Sequence, residues 1–384
     1  MGSGLFDPVS LKTLRLTLRL TNRFVFAAAA SGNPANGSGV IHDSEVVRLT
    51  RYAKSGVGLV ITGAIGITDS AISGANSCLL STDATVTGFE RLTDSIHIAG
   101  GLVAAQLCHS GLWTSRHNKE MGQEAIAPSH LDTASPYTDR PGFINNYHAA
   151  TEDEIEGVIA SFGAAAERAA AAGFDAVEIH GAHDSLLAQF LSPLTNQRTD
   201  RWGGSLVNRV RIHCEVIHAI RKNIGNNYPV FLKMGAADGI FGPGLTFAEG
   251  LQAAGICARS GYDLLEVSQG LQGTTFAEMA LRSPIKSIDQ EGFSRSWCRE
   301  IKKATGIPTS MTGGLRSLEL VEEIVKNGET DFIGLCRPLI REPELILRWK
   351  AGDRKKSTCI SCNKCGLAIA QGLPLDCYVD KKLD

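Results

Sequence analysis

AGFDAVEIH at residues 172–180 holds the end of one element and most of the next. Its glycine accepts the left-handed conformation that closes a helix. The apolar run behind the aspartate suits a strand buried on both faces, as parallel strands are. The layout returns at 260–268 (SGYDLLEVS) and 327–335 (NGETDFIGL), and without the aspartate at 55–62 (SGVGLVIT). Each copy predicts a helix end followed by a parallel strand. Helix starts are marked as well: Thr151 with Glu154 and Thr246 with Glu249 stand at capping-box spacing, and Asp43 or Ser44 precedes the apolar pattern of 46–54.

Residues 24–27, 102–107, 230–234 and 308–312 read as further strands and bring the number to eight. Eight βα units predict an α/β chain folded as a closed (βα)8 TIM barrel, with an open doubly wound sheet as the alternative. Ahead of them, Leu14, Leu16, Leu18 and Leu20 alternate with Arg15, Thr17 and Arg19, which is strand periodicity and predicts an N-terminal β-hairpin, not a signal peptide. The barrel is expected over 1–350 and a short cysteine-rich extension over 351–384. The longest connection, 109–150, contains Trp113, Pro128, Pro136, Tyr137 and Pro141 and reads as a folded lid.

Hydrophobic residues make up 43% of the 384 and charged ones 20%, enough to bury a large core. Thirty-eight basic against forty acidic residues leave a net charge of −2, which argues against nucleic acid or an anionic membrane as partner and for a small-molecule substrate. No segment approaches the roughly 20 apolar residues of a membrane span, so a cytoplasmic chain is expected, and a homo-oligomer is left open. Six of the ten cysteines (Cys78, Cys108, Cys214, Cys257, Cys298, Cys336) sit in apolar or helical contexts and read as buried thiols.

The chemistry gathers where the strands end. Thr62, Ala64, Gln106, His109, His180, His183, Lys233, Ser268, Gly313, Gly314 and Arg337 all fall there, and a barrel brings them onto one rim, its C-terminal one. Gly313, Gly314 and Arg337, after strands seven and eight, suit a phosphate. Lys233 suits either the stabilisation of negative charge on a reduced cofactor ring or a Schiff base. His180 and His183 suit two donors to one oxygen, a pair of metal ligands, or structural histidines.

From 180 to 211 the sequence HGAHDSLLAQFLSPLTNQRTDRWGGSLVNRVR resembles the signature of the Old Yellow Enzyme family of FMN-dependent ene-reductases, or NADH:flavin oxidoreductases. The likeness extends to LFDPVSLKTLRLTLRLTNRFVF at 5–26, VITGA at 60–64, QLCHSG at 106–111, GGL at 313–315 and CRP at 336–338, nearly the whole chain. The resemblance implies that Ala64, Gln106 and Lys233 line the flavin ring, with Lys233 where relatives usually carry arginine, and that Gly313, Cys336 and Arg337 hold the phosphate. It also implies that His180 and His183 bind the electron-withdrawing oxygen of the substrate while hydride passes from flavin N5 to the β-carbon of a polarised alkene. The family's HGAHGY has become HGAHDS at 180–185, which sets Ser185 in the place of the proton-donating tyrosine. A serine is a poor acid, and Tyr137, Tyr147 or water are the alternatives. AAAASG at 27–32 lacks the Cys or Thr and the Tyr that many relatives place near the flavin.

Cys359, Cys362, Cys365 and Cys377 crowd the C-terminus, and four thiols so spaced in a cytosolic chain point to metal, iron or zinc, more than to disulfides. Their surroundings resemble the 2,4-dienoyl-CoA reductase and trimethylamine dehydrogenase branch, which implies a [4Fe–4S] cluster, although that branch usually has one more residue between the second and third cysteines. In the branch a dinucleotide-binding domain feeds the cluster. Here seven residues follow Cys377, so the expectation is a separate electron-transfer protein or subunit, with NAD(P)H as the direct alternative. Rival readings are the same flavin chemistry run oxidatively as a dehydrogenase or demethylase, a non-redox phosphate-binding barrel such as an aldolase using Lys233, and an electron-transfer subunit without catalysis.

Overall fold

The repeated aspartates explain themselves once the strands are paired. In the structure, a computed structural model, Asp175 Oδ2 accepts from the Val103 amide at 2.8 Å, Asp263 Oδ2 from Val230 at 2.8 Å, and Asp331 Oδ2 from Thr309 at 3.0 Å. Each carboxylate therefore ties the start of its own strand to the start of the strand before it. A basic side chain from the preceding part of the chain completes each knot: His97 for Asp175, Arg221 for Asp263 and Lys302 for Asp331. The copy without an aspartate has a substitute, because Asn22 accepts from the Phe24 amide at 2.9 Å and donates to the Gly56 carbonyl at 2.8 Å.

The described residues are 4–381 except 13–16, 33, 36, 73, 75, 132–134, 136, 139, 141–142, 240–243 and 276–277. The barrel strands are β1 (Phe24–Phe26), β2 (Leu59–Gly66), β3 (Val103–Cys108), β4 (Ala176–Gly181), β5 (Val230–Gly235), β6 (Leu264–Ser268), β7 (Thr309–Met311) and β8 (Phe332–Leu335). All pair in parallel with their neighbours, and β8 pairs with β1, which closes the barrel. The helices α1 (Asp43–Lys54), α2 (Val86–Ile98), α3 (Glu152–Ala171), α4 (Leu206–Ile224), α5 (Phe247–Ser260), α6 (Arg295–Thr305), α7 (Leu318–Lys326) and α8 (Leu345–Lys350) follow them in turn. Both capping boxes form, on α3 and α5. At α1 the N-cap is His42, one residue before the expected pair, its Nδ1 accepting from the Ser44 amide. Gly56, Gly173, Gly261 and Gly328, the glycines of the four copies, all have positive φ, as the helix-end reading requires.

An antiparallel hairpin, Val9–Lys12 with Thr17–Leu20, lies ahead of the barrel, and Leu11, Leu18 and Leu20 pack with Val25, Phe231 and Phe332 to plug its N-terminal end. Leu14, Arg15 and Leu16 lie outside the described residues. Between strands and helices runs the main core, where fully buried Leu49, Phe89, Phe162 and Ile217 each contribute about 1.5–3 kcal/mol by burial. Among the described residues no helix is long and apolar enough to cross a membrane.

Two segments surround the barrel mouth. The lid, 109–150, carries a helix, Ser115–Glu120, and a short strand pair, Ala125–Ala127 with Tyr147–Ala149. Its Leu112, Leu131 and Tyr137 pack on Ala188 and Leu194 after β4 and on Leu271 after β6, while Pro136 and Pro141 lie outside the described residues. The C-terminal segment is stitched to the rim: Arg316 donates to the Cys359 carbonyl at 3.0 Å, and Arg337 to Asn363 Oδ1 at 2.5 Å.

Candidate active site

Strand alternation sorts the barrel interior into layers. Ala104, Ala176, Phe231 and Leu264 belong to the hydrophobic plug, so the residues two further along, Gln106, Glu178, Lys233 and Glu266, also point inward, one layer higher. Two residues higher again stand His180 and Ser268 at the mouth. Above them opens a cavity of about 300 Å³.

Its wall includes Ala64, Gln106, His180, His183, Lys233, Gly313, Gly314, Cys336 and Arg337, so the strand ends do converge. Cys365 is the one C-terminal cysteine on the wall. Ser185 is elsewhere. Its hydroxyl donates to the His180 carbonyl at 2.7 Å and caps the helix Leu186–Leu191, which removes it from the cavity. Neither tyrosine of the lid takes its place: Tyr137 is fully buried and accepts from Trp113 Nε1 at 3.0 Å, and Tyr147 Oη accepts from the Leu131 amide at 3.1 Å. His109 is buried behind the wall, its Nδ1 accepting from the Gly111 amide, and Thr62 accepts from the Gln106 amide.

The two histidines meet edge to face, with ring centroids 5.5 Å apart and planes at 73°. His183 Nε2 lies 2.6 Å from Ser268 Oγ, whereas His180 Nδ1 is buried without a partner among the described residues. Burial, reinforced by the Lys233 charge, lowers His180 to about 3 and holds His183 well below the imidazole range. Both rings are therefore neutral near pH 7, and each offers an N–H without bringing a charge. Lys233 Nζ sits 2.6 Å from Glu266 Oε1. Burial alone would discharge this ammonium, but Glu266 and Glu178 raise it, so it stays a cation.

At the other end, added side chains at Gly313 or Gly314 would collide with Ser294, Phe293 and Ile285, and Gly314 has φ +73°. The amides of Gly313, Gly314, Cys336 and Arg337 find no protein acceptor among the described residues. Arg316 and Arg337 also line the cavity, and no Asp or Glu does among the described residues, so the charged side chains on its wall are all cationic. Sequence reasoning missed Arg316, Gln272 and Asn363 on this wall; Asn363 stands between two cysteines, and only its contact with Arg337 reveals it.

The cysteines are less gathered. Cys359 is buried and accepts from the Ser361 amide, and Cys377 Sγ lies 3.7 Å from Arg341 Nη1. Among the described residues no three His, Cys, Asp or Glu side chains converge as a single metal ion would require.

Relatives share this architecture. The chain is 33% identical to an NADH oxidase of Thermoanaerobacter brockii over 94% of its own length and 54% of that protein. It is 32% identical to an NADPH dehydrogenase of Clostridium acetobutylicum, covering 89% and 93% of the two chains. A solved structure of a 2-naphthoyl-CoA reductase superposes with a TM-score of 0.87 at 26% identity, covering 99% of this chain and 57% of that one. The chain thus spans about half the length of the NADH oxidase and of the CoA-ester reductase. The NADH:flavin oxidoreductase / NADH oxidase family matches residues 4–356, and the chain belongs to it as an Old Yellow Enzyme-like FMN oxidoreductase.

Proposed function

We propose that the chain reduces a carbon–carbon double bond conjugated to a carbonyl or thioester. The observation that carries this reading is the pair of neutral histidines facing a cavity with no carboxylate among its described lining residues. Two neutral N–H groups suit an oxygen that gains negative charge as the reaction proceeds. A cationic amine, one substrate the oxidative direction could take, finds only Lys233, Arg316 and Arg337 as charged neighbours among the described residues of the wall.

The cavity fits a flavin mononucleotide on two grounds. The amides at Gly313, Gly314, Cys336 and Arg337, without a protein acceptor among the described residues, suit a phosphate, and Ala64, Gln106 and Lys233 line the cavity with one small, one amide and one cationic side chain. FMN, when bound, supplies hydride chemistry at a carbon centre. Lys233 would steady negative charge above the floor, and His180 and His183 would orient and polarise the substrate oxygen. With Ser185, Tyr137 and Tyr147 all committed elsewhere, solvent would deliver the proton to the α-carbon.

Cys365 brings the cysteine segment to the cavity wall, which supports an electron entry there. We assign Cys359, Cys362, Cys365 and Cys377 to an iron–sulfur cluster, with zinc as the alternative metal, and with a separate protein or further domain as electron source and NAD(P)H as the direct alternative.

The test is anaerobic. Dithionite-reduced protein, of known iron and FMN content, is mixed in D2O with an α-methyl enoyl thioester. Reoxidation of the flavin spectrum and a product of mixed α-configuration are expected. A reduced spectrum unmoved by any conjugated alkene, together with bleaching of the oxidised protein by amines, would reverse the direction assigned here; a single α-epimer would point to a donor held by the protein.

A further inference from the structure

The layer beneath the cavity floor contains more acid than its cations balance. Gln106 on β3 is in register with Glu178 on β4, and Lys233 on β5 with Glu266 on β6, so the four side chains form an arc inside the barrel. Glu178 and Glu266 are fully buried and Lys233 almost so. Gln106 Nε2 donates to Glu178 Oε1 at 2.7 Å, Lys233 Nζ lies 2.6 Å from Glu266 Oε1, and neither Glu178 Oε2 nor Glu266 Oε2 has a hydrogen-bond partner among the described residues.

Two carboxylates and one ammonium in so buried a space leave one negative charge uncompensated, at a cost of several kcal/mol. Among the described residues no other charge relieves it. His180 and His183 are neutral, and burial pushes the Cys336 thiol up to about 11, so it too is uncharged. A proton on one carboxyl removes the excess and turns a repulsion into a hydrogen bond, as in other carboxyl pairs held at close range.

We infer that Glu178 and Glu266 share a single proton, which rests chiefly on Glu178, and that Lys233 is the counter-ion of this half-protonated pair. Glu178 is the member without a cation of its own. Burial first, and then the neighbouring Glu266, hold it well above the usual carboxyl range, against the opposing pull of Lys233 and Gln106. The arrangement has two consequences at the floor. With the proton directed at Glu266, Glu178 Oε1 stays an acceptor and takes the Gln106 NH2, which leaves the Gln106 carbonyl oxygen for the cavity. Negative charge developing above Lys233 meets a cation balanced once, with no second carboxylate behind it. Glu178 and Glu266 are thus positioning residues, acting through Gln106 and Lys233; their bearing on a bound flavin rests on the function proposed above.

Infrared difference spectroscopy tests this on the flavin-free protein and again after FMN is added, at pH 8 in H2O and D2O. The wild type should show one protonated-carboxyl C=O band per chain that shifts in D2O. That band should vanish in both Glu178→Gln and Glu266→Gln, because either variant leaves one carboxyl facing one ammonium, which ionises it. Lys233→Met should strengthen the band, and it serves as the test if a glutamine variant fails to fold. Absence of the band from wild type, or its survival in Glu178→Gln, overturns the inference. A band without FMN binding would count against the proposed function alone, and FMN binding without a band against this inference alone.

Discussion

Asp184 occupies the position before Ser185 with φ +65°, a conformation that costs a non-glycine residue something and that aspartate tolerates better than most. Its carboxylate is held in return. Arg140 from the lid binds it through both terminal nitrogens at 2.7 and 3.0 Å, and Gln272 adds its amide at 3.0 Å. The guanidinium lies over Trp113 and Tyr137 at 4.7 and 4.9 Å from their ring centroids. One buried pair thus joins the lid, the loop bearing His183 and the loop after β6. Asp184→Asn should lower unfolding stability by about 3 kcal/mol, most of it from stranding a buried guanidinium. Adding Arg140→Met should recover part of the loss, so urea unfolding of the two single variants and the double variant gives the answer. Additive losses would mean that the two residues are not coupled. Residues 44 apart in the chain gave no hint of this pairing, and it also explains the misreading of Ser185. Read as a string, HGAHDS offers a hydroxyl in a tyrosine's place, but a serine before LLAQFL is equally an N-cap, and capping is the role it takes.

At the scale of elements, the repeated glycine–aspartate layout was legible because each copy is local, whereas the reason for its aspartate was not, since the acceptor contact reaches back to the preceding strand. The three knots differ in exposure: the Asp263 side chain is 1% exposed, Asp175 18% and Asp331 30%. A charge-assisted bond buried from water is worth more than one that water can replace. Alanine at Asp263 should therefore cost the most, about 3 kcal/mol, followed by Asp175 and then Asp331. Chemical denaturation of the three variants measures the order, and equal losses would show that strand tying does not depend on burial.

Across the whole molecule, the sequence carried the barrel and the wall of the cavity because strand ends are read in order and a closed barrel needs only that order. It did not carry the acid pair, whose members lie 88 residues apart on strands that flank β5, nor the state of the histidines, which burial decides. Four of these rings, His109, His180, His183 and His213, are held below the ordinary imidazole range, mainly by burial. His213 is the plainest, at 0% exposure with neither ring nitrogen partnered among the described residues, and lowered to about 4. A histidine depressed in the folded state binds its proton more readily when unfolded. Its contribution is therefore present in full above pH 6.5 and is lost as the pH falls toward 4. His213 alone should contribute up to about 3 kcal/mol of this loss, with a slope of about 1.4 kcal/mol per pH unit inside that window. His213→Phe, near in shape and without a proton to bind, should flatten the slope by that amount while leaving the cavity histidines to titrate. Unfolding free energies at intervals from pH 7 to pH 4 decide it. An unchanged slope in the variant would mean that the ring, despite its burial, is already hydrogen-bonded through water in the folded protein.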